Sequence, residues 1–193
     1  MHGITNIQSL VRDDIFIATM HPPLTQAPLG AKLGSRKNVM ANTFTQIYLQ
    51  CVFAVQDRIS LIRFEWKDEL YKYITGIVQN NSHKLIAING MPNHLHVFVG
   101  YKPHQLVPDL LQDIKGSSST WINKKGFIRG KFGWQAGYGA FSYSHSQIDS
   151  VVKYIMNQEE HHKKKTFREE YIELLQRFNI EYDDRYILKD IGE

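Results

Sequence analysis

Two groups of residues in this sequence have the types and spacing to do chemistry. The first is His94-Leu95-His96, set in Met91-Pro92-Asn93-His94-Leu95-His96-Val97-Phe98-Val99. Side chains alternate along a strand, so both imidazoles leave one face while Leu95 and Val97 leave the other. Two imidazoles side by side on a rigid strand make a natural pair of metal ligands. The plainer reading is two half-buried surface histidines, and the apolar character of the strand favours the ligand. The second group is Tyr154-Ile155-Met156-Asn157-Gln158. Spacing of i, i+4 predicts Tyr154 and Gln158 on one helix face, one turn apart. By themselves, with Val151 and Ile155 beside them, they read as a core aromatic and a solvated amide. With the histidines they make a set of two imidazoles, an amide oxygen and a phenol.

Such a set needs a frame that brings distant segments together, and the patterning predicts one. Residues 43–55 are rich in β-branched and aromatic types and read as a strand. Leu70, Tyr73, Ile74, Ile77 and Val78 give residues 65–80 the period of an amphipathic helix. Residues 83–89 and 94–101 read as strands joined by a turn over residues 90–93. Residues 106–123 read as a helix, 137–144 as a strand, and 146–162 as a helix with Ser146 as its N-cap. A further helix is expected from Phe167 to Leu175. The order βαββαβ predicts an α+β fold, a ferredoxin-like antiparallel sheet with helices on one face, followed by a C-terminal helix that carries the tyrosine.

The chain has 193 residues and a single cysteine, Cys51, which excludes a disulfide framework and a cysteine-rich zinc site. No run approaches the roughly 18 apolar residues of a membrane span, and no signal peptide is evident, so a cytoplasmic protein with no membrane partner is expected. Residues 1–39 collect Pro, Gly and small residues without periodicity and read as an extension, flexible or foreign to the domain. The domain is expected over residues 40–193. Its charge is uneven: +6 over residues 102–168 and −5 over residues 169–193. A basic middle with an acidic tail suits a polyanion-facing surface, or a solubilising surface that is merely uneven.

In this order, Tyr48 to Val55, His94-Leu95-His96 after Met91-Pro92-Asn93, Trp134-Gln135-Ala136-Gly137-Tyr138-Gly139-Ala140-Phe141, the Tyr154 to Gln158 run and Glu160-His161-His162 resemble one known family. It is that of the single-tyrosine HUH-superfamily transposases of the smallest insertion sequences, and the resemblance covers residues 40 to about 188. The resemblance implies a divalent metal, Mg²⁺ or Mn²⁺, on His94, His96 and Gln158, with Zn²⁺ left open by ligand type. It implies Tyr154 as the nucleophile, giving a covalent 5′-phosphotyrosine and a free 3′-OH. It also implies single-stranded DNA hairpins at element ends as the partner, and a homodimer with the tyrosine acting in cis or in trans. Lys115, Lys124, Lys125, Arg129 and Lys131 are expected to contact phosphates, with Trp134 among the aromatics that stack on bases. Core packing is the competing reading for those aromatics. Lys163-Lys164-Lys165 reads as a solvated helix end, and His161 and His162 as surface or DNA-contacting residues rather than ligands. The acidic tail either packs on the core or screens the basic surface. A relative that nicks chromosomal repeat hairpins, a metal-dependent hydrolase and a non-catalytic RNA- or single-strand-binding module are the alternatives.

Overall fold

The computed structural model describes residues 44–58, 61–183 and 187. The expected extension over residues 1–39 lies outside them. The elements are β1 (Ile47–Ala54), α1 (Phe64–Asn80), β2 (Lys84–Met91), β3 (His94–Tyr101), α2 (Val107–Lys125), β4 (Gly139–Tyr143), α3 (Ile148–Met156), α4 (Gln158–His162) and α5 (Phe167–Arg177). The strands form one antiparallel sheet in the order β2-β3-β1-β4. This is the expected α+β, ferredoxin-like arrangement: each hairpin or helix returns the chain so that β3 lies between β1 and β2, and β1 between β3 and β4.

One face of the sheet is built by alternation in β1 and β3. Cys51, Phe53 and Val55 join Leu95, Val97, Val99 and Tyr101 against α1 and α2. Helix α1 buries Trp66, Leu70, Ile74 and Val78, four residues at i, i+4 steps that make one stripe. Helix α2 starts with Pro108 in its first turn, where a missing N–H costs nothing. It stops at Gly126, whose φ of 69° and N–H bond to the Ile122 carbonyl close the last turn. The opposite face is also covered. Val52, Ala54 and Phe141 pack against α5, and Ala87 and Phe98 against α3. A sheet covered on both faces explains why β3 is buried at nearly every position, polar ones included.

Most element ends fall within a few residues of the expectation, and two differences bear on the site. The turn between β2 and β3 is only Pro92-Asn93, because Gly90 and Met91 stay in the ladder opposite Leu95 and His94. The glycine permits this: a Cβ on Gly90 would stand 2.2 Å from the His94 carbonyl oxygen. We therefore expect Gly90→Ala to displace the strand that carries His94 and to cost about 2 kcal/mol. Circular-dichroism melting should show a midpoint lowered by roughly 4–8 °C. The second difference is at residues 144–162. Ser144 rather than Ser146 is the N-cap, in a capping box with Gln147, and a single 3₁₀ turn over His145–Gln147 precedes α3. The expected single helix over 146–162 is interrupted at Asn157.

Candidate active site

The alternation of β3 sends His94 and His96 to the face covered by α3, α4 and α5, and both side chains are fully buried. Gln158 opens α4 and is fully buried as well. Its Oε1 lies 3.3 Å from His94 Nε2. The structure thus gathers the three expected ligands, although Tyr154 and Gln158 do not share a helix as expected. Helix α3 ends at Met156, and Asn157 takes φ −95° and ψ 23° between α3 and α4. The break is met by a tertiary contact: the Asn89 amide of β2 donates to the Ile155 and Met156 carbonyls at 3.0 and 3.1 Å, satisfying groups the break leaves open.

Tyr154 and Gln158 still converge, on a residue the sequence reading passed over. The Tyr154 hydroxyl donates to Glu170 Oε1, and Gln158 Nε2 donates to the same oxygen at 2.8 Å. Glu170 is on α5 and is 1% exposed. That helix is started by Thr166 and Glu169 in a capping box, and it buries Phe167, Leu174 and Leu175. The described helical part of the acidic tail, Phe167–Arg177, therefore packs on the core. His162 also turns inward, correcting its assignment to the surface: its Nε2 is 3.0 Å from Glu170 Oε2 and 3.1 Å from Gln158 Oε1. Its i, i+4 spacing from Gln158 was the available signal. Glu170 carried none, since it sits in a run of charged residues. Gln50 was missed too, although a lone amide inside the apolar Ile47–Ala54 strand was a hint.

The electrostatics follow from burial. His94 is held well below the usual imidazole range, first by burial and then by the neighbouring His96, so it is neutral. Burial by itself would raise the Glu170 carboxyl. The surrounding imidazoles, His96 foremost, outweigh that and hold it far below the usual range. Tyr154 is pushed up, mainly by burial and then by the negative charge of Glu170.

His94 Nδ1 is 2.8 Å from Asn93 Oδ1, which only accepts, so Nε2 is a bare lone pair directed at Gln158 Oε1 and Glu170 Oε2. His96 Nε2 is buried, has no hydrogen-bond partner among the described residues and stands 3.5 Å from Glu170 Oε1. Its Nδ1 is 2.8 Å from the Gln50 amide nitrogen, and Gln50 Oε1 in turn accepts from the Tyr143 hydroxyl at 2.7 Å. For His96 to bind a cation through Nε2, its proton moves to Nδ1 and the Gln50 amide turns over to accept it. An unpartnered imidazole nitrogen and a lone pair facing two oxygens are what a cation would relieve, so the residues fit a divalent ion.

Residues 43–158 match the family model described as "Transposase IS200 like". The chain belongs to this transposase family. As a member of it, the protein is a single-tyrosine HUH transposase, with a DNA endonuclease and strand-transfer activity as its general class. The ISDra2 transposase TnpA of Deinococcus radiodurans is 25% identical over 118 residues, which cover 58% of this chain and 84% of that protein. Among solved structures, a REP-associated tyrosine transposase bound to a REP hairpin is similar in fold. It is 13% identical with a TM-score of 0.50, covering 79% of this chain and 93% of that one.

The family span ends at Gln158, so His162 and Glu170 lie beyond it. The transposase's basic and aromatic stretch is placed less simply than expected. Trp134 is 9% exposed, packs edge-on against Phe53 and Phe132, and donates from Nε1 to Ser118 Oγ. Its indole faces the core, not an incoming base. Phe132 is buried, Trp121 stacks on Tyr73 and Phe127 on Trp66. Lys115 donates to the Gln135 and Gly137 carbonyls at 2.7 Å and braces that loop, so it is not a free phosphate contact. Lys125 lies over Trp121 and 3.4 Å from Glu69. Lys124, Arg129 and Lys131 are exposed. Nearer the site, an open groove of about 580 Å³ runs past the Tyr154 ring between Lys153, Asn157, His161 and Lys164. Neither Lys153 nor Lys164 has an acidic partner among the described residues. No helix among these residues is long and apolar enough to cross a membrane.

Proposed function

We propose that this transposase cleaves and rejoins single-stranded DNA at hairpin-marked element ends, with Tyr154 as nucleophile and a divalent ion, Mg²⁺ or Mn²⁺, on His94, His96 and Gln158. The observation that carries the reading is the meeting of the Tyr154 hydroxyl with Gln158, His94 and His96 around one buried carboxylate. The bound ion supplies Lewis-acid stabilisation of the charge that develops on the scissile phosphate. The Tyr154 oxygen forms the new bond to phosphorus and loses its proton, while the bond from phosphorus to the 3′ oxygen breaks and that oxygen leaves as a hydroxyl. The product is a 5′-phosphotyrosine that conserves the phosphodiester's energy, so a second 3′-OH reverses the step with new connectivity. One tyrosine per chain handles one end, and joining two ends calls for two copies of the chain. The groove past Tyr154 admits the backbone, with Lys153 and Lys164 neutralising phosphates and exposed Lys124, Arg129 and Lys131 adding long-range attraction. The hairpin bound by the REP-associated neighbour supports a hairpin as the ligand here.

The test incubates the protein with labelled single-stranded hairpin DNA from the ends of its element, with Mg²⁺ or Mn²⁺, on a denaturing gel. A covalent adduct is expected that disappears on chelation and falls at least about 100-fold in a His94→Ala, His96→Ala double variant. Cleavage without an adduct would make the protein a hydrolase. Binding without cleavage would make it a binding module.

A further inference from the structure

Four lone-pair atoms face one another in the buried centre of the site. The ring runs from His94 Nε2 to Gln158 Oε1 at 3.3 Å, to His162 Nε2 at 3.1 Å, to Glu170 Oε2 at 3.0 Å, and back to His94 Nε2 at 3.5 Å. The protons of these groups are all engaged elsewhere. His162 Nδ1 is 3.0 Å from the Lys165 carbonyl oxygen, an acceptor only, which places the proton of the neutral ring on Nδ1. His94 Nδ1 is held by Asn93 in the same way. The Gln158 amide nitrogen donates to Glu170 Oε1, so its oxygen is the atom left in the ring. Glu170 turns Oε2 to His162 and His94 and Oε1 to His96. Four mutually facing acceptors in a buried pocket repel one another unless a cation or an added proton lies among them, and a divalent cation satisfies all four at once.

We propose that His162 and Glu170 are ligands of the divalent ion, completing with His94 and Gln158 a centre that the transposase family's span supplies only in part. The inference rests on the metal-dependent reading above. The edges of the ring support it: bonds of about 2.1 Å to a common ion place neighbouring donors about 3.0 Å apart in octahedral and about 3.4 Å in tetrahedral geometry. His94, His162 and Glu170 by themselves already present ligand atoms within 4.8 Å of one another. The consequence is chemical. A carboxylate added to imidazoles and an amide lowers the charge of the centre by one, and mixed nitrogen and oxygen ligation favours Mn²⁺ over Mg²⁺. It also ties α5 to the active site through a bond rather than through packing only.

The experiment titrates the full chain with Mn²⁺, reading free Mn²⁺ by electron paramagnetic resonance, for the wild type, Glu170→Gln, His162→Asn and Glu173→Gln. Glu173 pairs with Lys165 on the outer side of α5 and controls for general damage to that helix. The wild type and Glu173→Gln should bind one Mn²⁺ with equal affinity, and the other two variants at least about tenfold more weakly. Pulsed measurements on the bound Mn²⁺ should lose one imidazole-nitrogen coupling in His162→Asn. Unchanged affinity in both variants, with the nitrogen coupling retained, would overturn the inference and leave metal-dependent adduct formation standing. A wild type that binds no Mn²⁺ would remove the metal reading itself, and this inference with it. Should Glu170→Gln fail to fold, His162→Asn and its nitrogen count decide the matter.

Discussion

Tyr154→Phe is expected to abolish the covalent protein–DNA adduct while the protein stays folded and still binds the hairpin. The substitution removes one oxygen and keeps the ring, which lies edge-on to His96 at 5.9 Å and to His161 at 5.3 Å. Glu170 loses one donor but keeps the Gln158 amide, so stability should change by no more than about 1 kcal/mol. The neighbouring phenol cannot take over. Tyr143 is committed to Gln50, and burial pushes its hydroxyl up to about 12. Loss of a covalent nucleophile typically removes at least about 10³-fold of activity, which on a denaturing gel is loss of the band. An adduct that persists in Tyr154→Phe would assign the nucleophile to another residue. Intact melting and intact hairpin binding in the same preparation would exclude simple misfolding.

The largest effect on stability is expected at Phe98, two residues along β3 from His96. The ring is fully buried, stands 6.3 Å from Tyr48 and 5.9 Å from Tyr143, and packs with Ala87, Val151 and Ile155. It is the main apolar contact between β3 and the helix that carries Tyr154. Phe98→Ala should cost about 3–5 kcal/mol, the transfer of the ring plus the cavity it leaves. The melting midpoint should fall by roughly 10 °C. Because the cavity lies under α3, adduct formation at 25 °C should fall further than the small unfolded fraction explains. A midpoint within about 2 °C of the wild type would show that α3 is held by something other than this cluster.

These expectations draw on different parts of the chain in different ways. The order of strands and helices, the face chosen by His94 and His96, and the stripe from Trp66 to Val78 depend on periods of two and 3.6 residues. Neighbours along the chain carry such periods, so the amino-acid order by itself makes them legible. The family was readable for the same reason, as short runs in a set order between Tyr48 and His162.

The membership of the buried polar centre was not readable in that way. Asn89 on β2 satisfies the carbonyls at the helix break between Tyr154 and Gln158, and nothing near Asn157 in sequence announces that contact. Trp134 and Lys115 have the composition of a nucleic-acid surface, yet one fills the core and the other holds a loop. Glu170 stands among charged residues in an acidic tail, where an isolated chain would leave it in water. It is inside because imidazoles from β3 and α4 and the Gln158 amide repay its desolvation together, and none of them can do so until the fold has brought all of them within hydrogen-bonding distance. Periodicity along the chain therefore determined the frame and one histidine pair. Which charges that frame encloses depended on partners far apart in sequence, and the tertiary structure alone decided it.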